Sequence, residues 1–405
     1  MRFSKGRIIV AAVLLTSLLA AAGPADADGH LEVVAEGLDN PRGLDVEGHH
    51  IYVAEAGRGG DELVDIPLGG GPGPVCVGRT GAVSRVFKGR VKTVKKLPSV
   101  TAAVDGKCEG PGFGIGATGP HGVDVEGHRI HYTVGLGGTP VSREALAAAV
   151  PRARNLGTAA VKRGRRTTKS DLAGFEDAND PNGDGSDSNP YGVMHGRRST
   201  IAVDAGGNSL LRLKSQSTEV LATFAPNCVP FLLGPNPVPP DSNPCGDPDL
   251  FPAQAVPTAV AVAHDGDYLV TTLLGFPFTP GHSVVWKIDH HFDGTASCST
   301  FPPVPSAGCE VFADGLTALV GIAVARNGTV YVVQLADGGV LGLESGAPGA
   351  DAGSVKVLDG ETGAVIGSID GLNAPGGIDI HRRHAYITNF SVSPGGGQIV
   401  RTPLR

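Results

Sequence analysis

The densest chemistry in the chain is the acidic run Phe175-Glu176-Asp177-Ala178-Asn179-Asp180-Pro181-Asn182-Gly183-Asp184-Gly185-Ser186-Asp187-Ser188-Asn189-Pro190-Tyr191-Gly192. Asp180-x-Asn182-x-Asp184-Gly185 matches the opening of an EF-hand loop, which presents oxygen ligands at alternate positions and a glycine at its sharp bend. The twelfth position is Tyr191 rather than the bidentate Glu that closes such a loop. The motif is therefore half complete. Asn, Asp and Gly also build Asx turns without any ion, and that is the preferred reading, with Ca²⁺ held by Asp180, Asn182 and Asp184 as the alternative.

Six cysteines, Cys76, Cys108, Cys228, Cys245, Cys298 and Cys309, form no Cys-x-x-Cys pair, which argues against a metal or redox centre. An even count fits disulfides of an exported chain. Pairing of sequence neighbours is favoured, because Cys76–Cys108, Cys228–Cys245 and Cys298–Cys309 would each staple one insertion. The run Gly112-Phe113-Gly114-Ile115-Gly116 superficially resembles a phosphate loop, but no strand–turn–helix context surrounds it, and it is set aside.

The elements that must carry these residues come from a repeat. Gly37-Leu38-Asp39-Asn40-Pro41-Arg42-Gly43-Leu44-Asp45-Val46 returns as Gly119-Pro120-His121-Gly122-Val123-Asp124-Val125, Asn189-Pro190-Tyr191-Gly192-Val193 and Pro257-Thr258-Ala259-Val260-Ala261-Val262. Leu319-Val320-Gly321-Ile322-Ala323-Val324 lacks the proline, and Gly371-Leu372-Asn373-Ala374-Pro375-Gly376-Gly377-Ile378-Asp379-Ile380 closes the series. Each copy alternates apolar and polar residues, the signature of a strand with one buried face. The proline suits a strand entrance, and the small residue after it suits close backbone approach. A second, a third and a fourth strand follow, for example Ile51-Tyr52-Val53, Val83-Ser84-Arg85-Val86 and Val91-Lys92-Thr93-Val94.

Six copies of four short antiparallel strands predict an all-β, six-bladed β-propeller. The copies begin near residues 37, 119, 189, 256, 315 and 371, and residues 28–405 form one propeller domain. Leu31-Glu32-Val33-Val34-Ala35 resembles a fourth strand yet precedes the first copy, while the chain ends on a third strand. The N-terminal strand is expected to complete the last blade and close the ring, leaving no exposed sheet edge. A short helix is expected over Ser142–Val150 with Ser142 as its cap. Arg163-Gly164-Arg165-Arg166 reads as a solvated hairpin turn.

Residues 1–27 read as a signal peptide: Arg2, Lys5 and Arg7, an apolar run from Ile8 to Ala22, and a cleavage site at Ala25-Asp26-Ala27. That run is too short for a stable membrane span. The protein is thus expected to be secreted, outside the cytoplasm. The 61 Gly and 31 Pro residues punctuate the repeat, so they read as turns rather than disorder. The formal charge is −7, and removing the +2 of the first 27 residues leaves −9, which argues against nucleic acid as partner.

The string Asp187-Ser188-Asn189-Pro190-Tyr191-Gly192, continued by Ile201-Ala202-Val203-Asp204-Ala205-Gly206-Gly207-Asn208-Ser209-Leu210-Leu211-Arg212, resembles the third-blade region of ScyD/ScyE family proteins. The opening Gly37-Leu38-Asp39-Asn40-Pro41-Arg42-Gly43-Leu44, the string Tyr52-Val53-Ala54-Glu55-Ala56-Gly57 and the entrance Pro120-His121-Gly122-Val123 are similar too. The resemblance spans essentially the whole chain after residue 27. It implies an exported propeller related to NHL repeats, in a family named for the biosynthesis of an extracellular sunscreen pigment, with no catalytic residue to carry over. The lengthened Cys228–Cys245 segment and the proline-less fifth copy depart from the pattern.

Two functions follow. In the first, an exported scaffold binds an extracellular small molecule or protein. The strand entrances then gather Asn40, Arg42, His121, Asn189, Tyr191 and Asn373 at one mouth of the channel, and the loops from second to third strands add Glu55, Asp204, Asn208 and Asn389. In the second, a metal-dependent hydrolase or lyase of the lactonase or streptogramin-lyase kind uses Glu55, Asn189, Asp204 and His121. No adjacent nucleophile and base support it, so the balance leans away from an enzyme. A sugar dehydrogenase is weaker still, since no quinone or nucleotide signature is present.

Overall fold

The alternating segments fold as strands wherever the repeat places them. The computed structural model describes residues 31–68, 73–108, 116–196, 199–300 and 306–404. The proposed signal segment and Gly112–Ile115 lie outside the described residues.

Blade 1 comprises Pro41–Glu47, His50–Glu55, Val75–Phe87 and Arg90–Ala102, from the channel outward. Blade 2 comprises Pro120–Glu126, Arg129–Val134, Thr158–Arg163 and Arg166–Asp171. Blade 3 runs through Pro190–His195, Thr200–Asp204, Ser209–Leu213 and Thr218–Phe224. Blade 4 runs through Pro257–Val262, Tyr268–Thr272, Ser283–Ile288 and Cys309–Leu316. Blade 5 has Leu319–Val324, Val330–Gln334, Ala352–Leu358 and Val365–Asn373. Blade 6 has Ile378–His381, His384–Asn389, Gly397–Pro403 and, outermost, Glu32–Leu38. The N-terminal strand pairs antiparallel with the last strand, Glu32 opposite Arg401 and Leu38 opposite Gly397. The chain is a six-bladed β-propeller whose ring is closed by the strand Glu32–Leu38.

The small residue after each entrance has a steric cause. A Cβ on Gly122 would lie 2.5 Å from the Tyr191 carbonyl oxygen, and one on Gly377 2.8 Å from that of Arg42. Inner strands of neighbouring blades therefore pass nearly backbone to backbone. Apolar side chains fill the wedges between blades. Leu38, Leu44, Val46, Val53 and Ile399 pack where blade 6 meets blade 1, and Trp286 packs with Phe224 between blades 3 and 4.

All three disulfides join sequence neighbours: Cys76–Cys108, Cys228–Cys245 and Cys298–Cys309. The second staples an insertion holding a two-stranded sheet, Asn227–Pro230 with Leu250–Ala253. The third closes an excursion between the last two strands of blade 4. That excursion lays Ala296–Cys298 parallel to the outer strand of blade 3, giving this blade a fifth strand. The Gly57–Gly81 insertion is more regular than its composition suggests, because Glu62–Val64 pairs with a third strand extended back to Val75.

Helix α1 (Pro140–Ala149) starts earlier than its apolar pattern predicts. Its cap is Thr139, whose Oγ1 accepts the Ser142 N–H, rather than Ser142 itself. Pro140 in the first turn, where its missing N–H is harmless, explains the shift. Helix α2 (Leu172–Asn179) links blade 2 to blade 3, and α3 (Val340–Glu344) lies in the connection after the second strand of blade 5. The basic run forms the Arg163/Arg166 hairpin as expected. Among the described residues, no helix is long and apolar enough to cross a membrane.

Candidate functional site

A polar side chain at the end of a second strand recurs as a clasp. Glu55 Oε2 accepts the Asp39 N–H at 2.9 Å, Asp204 Oδ1 accepts the Asn189 N–H at 2.6 Å, and Asn389 Oδ1 accepts the Asn373 N–H at 2.8 Å. Gln334 Oε1 does the same for Thr317 at 2.9 Å in blade 5. Each clasp satisfies a backbone donor one to five residues before an inner strand begins. Asn40 adopts φ 52° and donates from Nδ2 to the Gly57 carbonyl, a turn role. Asn208 donates to Asp184 and to Gly206, and its Oδ1 accepts the Val256 N–H at 2.9 Å. Asn40, Glu55, Asp204, Asn208 and Asn389 thus spend their side chains on backbone and turn bonds, Asn373 contributes its backbone N–H, and none of the six is among the residues that line the cavity described next.

Arg42, His121, Asn189 and Tyr191 are brought together. They line one cavity of about 370 Å³ at the strand-entrance mouth. Hydroxyls on the second strands hold the backbones that carry them. Thr388 Oγ1 donates to the Arg42 carbonyl at 2.7 Å and accepts the Gly377 N–H at 2.7 Å. Thr133 Oγ1 donates to the Tyr191 carbonyl and accepts the Gly122 N–H. Asn189 Oδ1 accepts the Leu136 N–H at 3.2 Å, and the Arg42 guanidinium donates to the Ala117 carbonyl. The Tyr191 ring lies on His121, centroids 4.4 Å apart.

Arg42 and His121 are 5% and 3% exposed, so the cavity floor is a buried cation beside a buried imidazole. Burial pushes the His121 pKa down to about 3, and the Arg42 charge adds to the effect, so the ring is neutral. Burial also lowers the Arg42 pKa, with Tyr191 opposing, and a guanidinium that starts so high stays charged. The walls are apolar: Val75, Val100, Leu136, Leu273, Phe278 and Val340 among them, with Glu344 of α3 the one carboxylate among the described residues. Burial raises the Glu344 pKa. Sequence reasoning missed these wall residues and Glu344, because they come from blade 1 strands extended beyond the repeat and from the connections that follow second strands. Such a site can hold an apolar body and fix an anionic end with Arg42.

The opposite mouth carries a second polar group that the sequence reading left unused. Asp379 accepts the Val46 N–H at 2.9 Å, Asp45 the Val125 N–H at 3.0 Å and Asp124 the His195 N–H at 3.2 Å. Each carboxylate thus ties its blade to the next. Asp45 is pushed up to about 8, first by burial and then by Asp379 and Asp124. Asp379 rises to about 6, mainly by burial. The signal was visible as Gly-x-Asp in three copies, at Asp45, Asp124 and Asp379, where blades 3 to 5 have Met194, Ala261 and Ala323.

In the acidic turn, Asp180 caps α2 in the left-handed region, and its carboxylate accepts the Gly183 and Gly185 N–H groups. Asp184 accepts from Asn208 and Gln254. Asp180 and Asp184 are thereby engaged as turn and tether, whereas the Asn182 Oδ1 is buried with no partner. Elsewhere, Asp267, Asp289 and His290 bring possible ligand atoms within 4.8 Å of one another and could hold a metal ion. Lys287 Nζ lies 3.5 Å from Asp267, so a cation is already supplied there.

No protein-family model matches the chain. No curated protein matches it either. Solved structures do match, 436 chains in all. They include a putative oxidoreductase (glucose dehydrogenase) of Thermus thermophilus, at 15% identity and TM-score 0.48, covering 92% of this chain and 99% of that one. The PQQ-bound aldose sugar dehydrogenase of Streptomyces coelicolor follows at 13% identity and TM-score 0.47, covering 94% and 99%. Virginiamycin B lyase of Staphylococcus aureus matches at 12% identity and TM-score 0.41, covering 93% and 99%. Likenesses this distant carry no weight on function.

Proposed function

We propose that the chain is an exported binding propeller that takes an apolar small molecule with an anionic end at its strand-entrance mouth. The observation that carries this is the cavity of about 370 Å³, apolar in its walls, with buried Arg42, neutral His121, Tyr191 and Asn189 converging on it. That volume falls at the small end of the range for ligand sites. Three disulfides and the signal-like first 27 residues support export. The ScyD/ScyE resemblance carries over no catalytic residue. The acidic balance disfavours nucleic acid as ligand. Of the four residues the hydrolase reading draws on, Glu55 and Asp204 hold backbone N–H groups, while His121 and Asn189 line this cavity with no second carboxylate or nucleophile shown beside them among the described residues.

Thermal unfolding against a panel of aromatic carboxylates, each paired with its neutral amide, tests the proposal. A ligand at about 100 times its Kd adds roughly 2.7 kcal/mol. Carboxylates should raise Tm and the matched amides should raise it less. No shift from any member, or equal shifts within every pair, would contradict an Arg42-anchored site.

A further inference from the structure

We infer that the acidic turn between blades 2 and 3 is a calcium site whose protein ligands are Glu176, Asn182 and Asp187. The first observation is Glu176. Its side chain comes from α2, is 1% exposed, and neither carboxylate oxygen has a hydrogen-bond partner. It lies against the Gly206-Gly207 turn of blade 3, where a Cβ on Gly207 would fall 2.4 Å from Glu176 Oε2. A buried carboxylate without a partner is rare in a folded protein, because desolvation of the charge goes uncompensated.

The second observation is that this oxygen pair is not alone. Asn182 Oδ1 and Asp187 Oδ1 are also buried and without partners, within the same short stretch of chain. Four orphaned acceptors, two on α2 and two on the turn that follows it, thus lie within twelve residues of chain, and every one is an oxygen. Asp180, Asp184 and Asp204 stand close enough to act on Glu176 electrostatically. Among the described residues, no Lys, Arg or His pairs with any of these five carboxylates. Helix α2 ends here with no basic residue in its last turn, so its negative end adds to the same field.

One bound cation answers all of these features together. Oxygen donors with no His or Cys select a hard ion over a transition metal. Two carboxylates and an amide on an irregular turn suit Ca²⁺, which accepts six to eight oxygens in flexible geometry, with carbonyls or water completing the shell; Mg²⁺ demands a near-octahedral set. The ligands differ from those an EF-hand register suggests. Asp180 and Asp184 brace the turn, and Glu176, four residues before it, supplies the bidentate carboxylate that position twelve lacks.

The test is calorimetric titration of the folded, oxidised, chelator-stripped protein with CaCl₂ and separately with MgCl₂, followed by thermal unfolding with and without Ca²⁺. One Ca²⁺ should bind per chain, at least tenfold tighter than Mg²⁺, with a rise in Tm. Glu176→Gln and Asp187→Asn should each weaken Ca²⁺ at least tenfold, and Glu176→Gln should unfold no earlier than wild type in EDTA because it removes an uncompensated charge. Should Glu176→Gln fail to fold, Asp187→Asn and Asn182→Ala carry the comparison. Asp267→Asn should leave the affinity unchanged. Absence of saturable Ca²⁺ binding overturns the assignment. So does Mg²⁺ binding as tight, affinity surviving both Asp187→Asn and Asn182→Ala, or loss confined to Asp267→Asn.

Discussion

Replacing Thr388 by valine should loosen the ring where it closes, and the size of the effect can be worked out. Thr388 is 0% exposed, and its hydroxyl serves two backbones at once, accepting from Gly377 N–H and donating to the Arg42 carbonyl, both at 2.7 Å. Valine has nearly the same shape and neither function. It leaves a buried donor and a buried acceptor unpaired, in a seam too tight for water because Gly377 approaches the Arg42 carbonyl so closely. Each orphaned group costs about 1–3 kcal/mol, so the loss is about 2–6 kcal/mol. With an unfolding entropy near 2.1 cal/mol/K per residue, a domain of this size loses about 3–8 °C in Tm. Thr388→Ser keeps both bonds and gives up one methyl, about 0.8 kcal/mol, so it should fall far less. Calorimetry on the three proteins decides the matter. A Thr388→Val midpoint within about 1 °C of wild type, or a serine variant worse than valine, would refute the claim that the hydroxyl bridges the blades.

Two further predictions concern pH. His121 has a folded pKa of about 3 against an ordinary 6.5, so the unfolded chain binds the extra proton between those values and stability falls as pH drops through that window, by about 1.4 kcal/mol per unit. His121→Gln should abolish that component, read as the difference between the two stability curves from about pH 6.5 to 5; parallel curves would contradict it. Asp45 works in the opposite sense. Its folded pKa of about 8 exceeds the ordinary 3.8, so its contribution is present below 3.8 and is lost as pH rises toward 8. Asp45→Asn, which can still accept the Val125 N–H, should be more stable than wild type at about pH 7 by up to about 4 kcal/mol, with the gain vanishing near pH 4. A destabilised Asp45→Asn at neutral pH would show that the charge itself is needed.

The fold was legible because the repeat expresses local rules. Pro41, Pro120 and Pro190 mark strand entrances, Gly43, Gly122 and Gly377 mark backbone contacts, and the orphan strand at Leu31–Ala35 announces the closure. The neighbour disulfides followed from the same economy of short loops. The mouth was half legible. Its floor, Arg42, His121, Asn189 and Tyr191, sits at repeat positions, whereas Val75 and Val100 lie on blade 1 strands extended beyond the repeat and Phe278 and Glu344 arrive from irregular connections with no period to betray their direction. The clasps were legible as positions but not as roles, since Glu55 and a ligand-binding carboxylate look the same in one dimension. In the acidic run, alternate spacing drew attention to Asp180 and Asp184, while burial singles out Glu176, and burial comes from the packing of α2 against blade 3.

The central claim is that the strand-entrance mouth is the binding site. The most direct measurement is calorimetric titration of wild type, Arg42→Met and Ala102→Trp with the aromatic carboxylate giving the largest thermal shift. Ala102 lines the cavity from an exposed position, so tryptophan there fills the mouth without disturbing the core. The account predicts one saturable site in wild type, weakened at least tenfold by Arg42→Met and blocked by Ala102→Trp. Binding that both variants retain at wild-type affinity would contradict it.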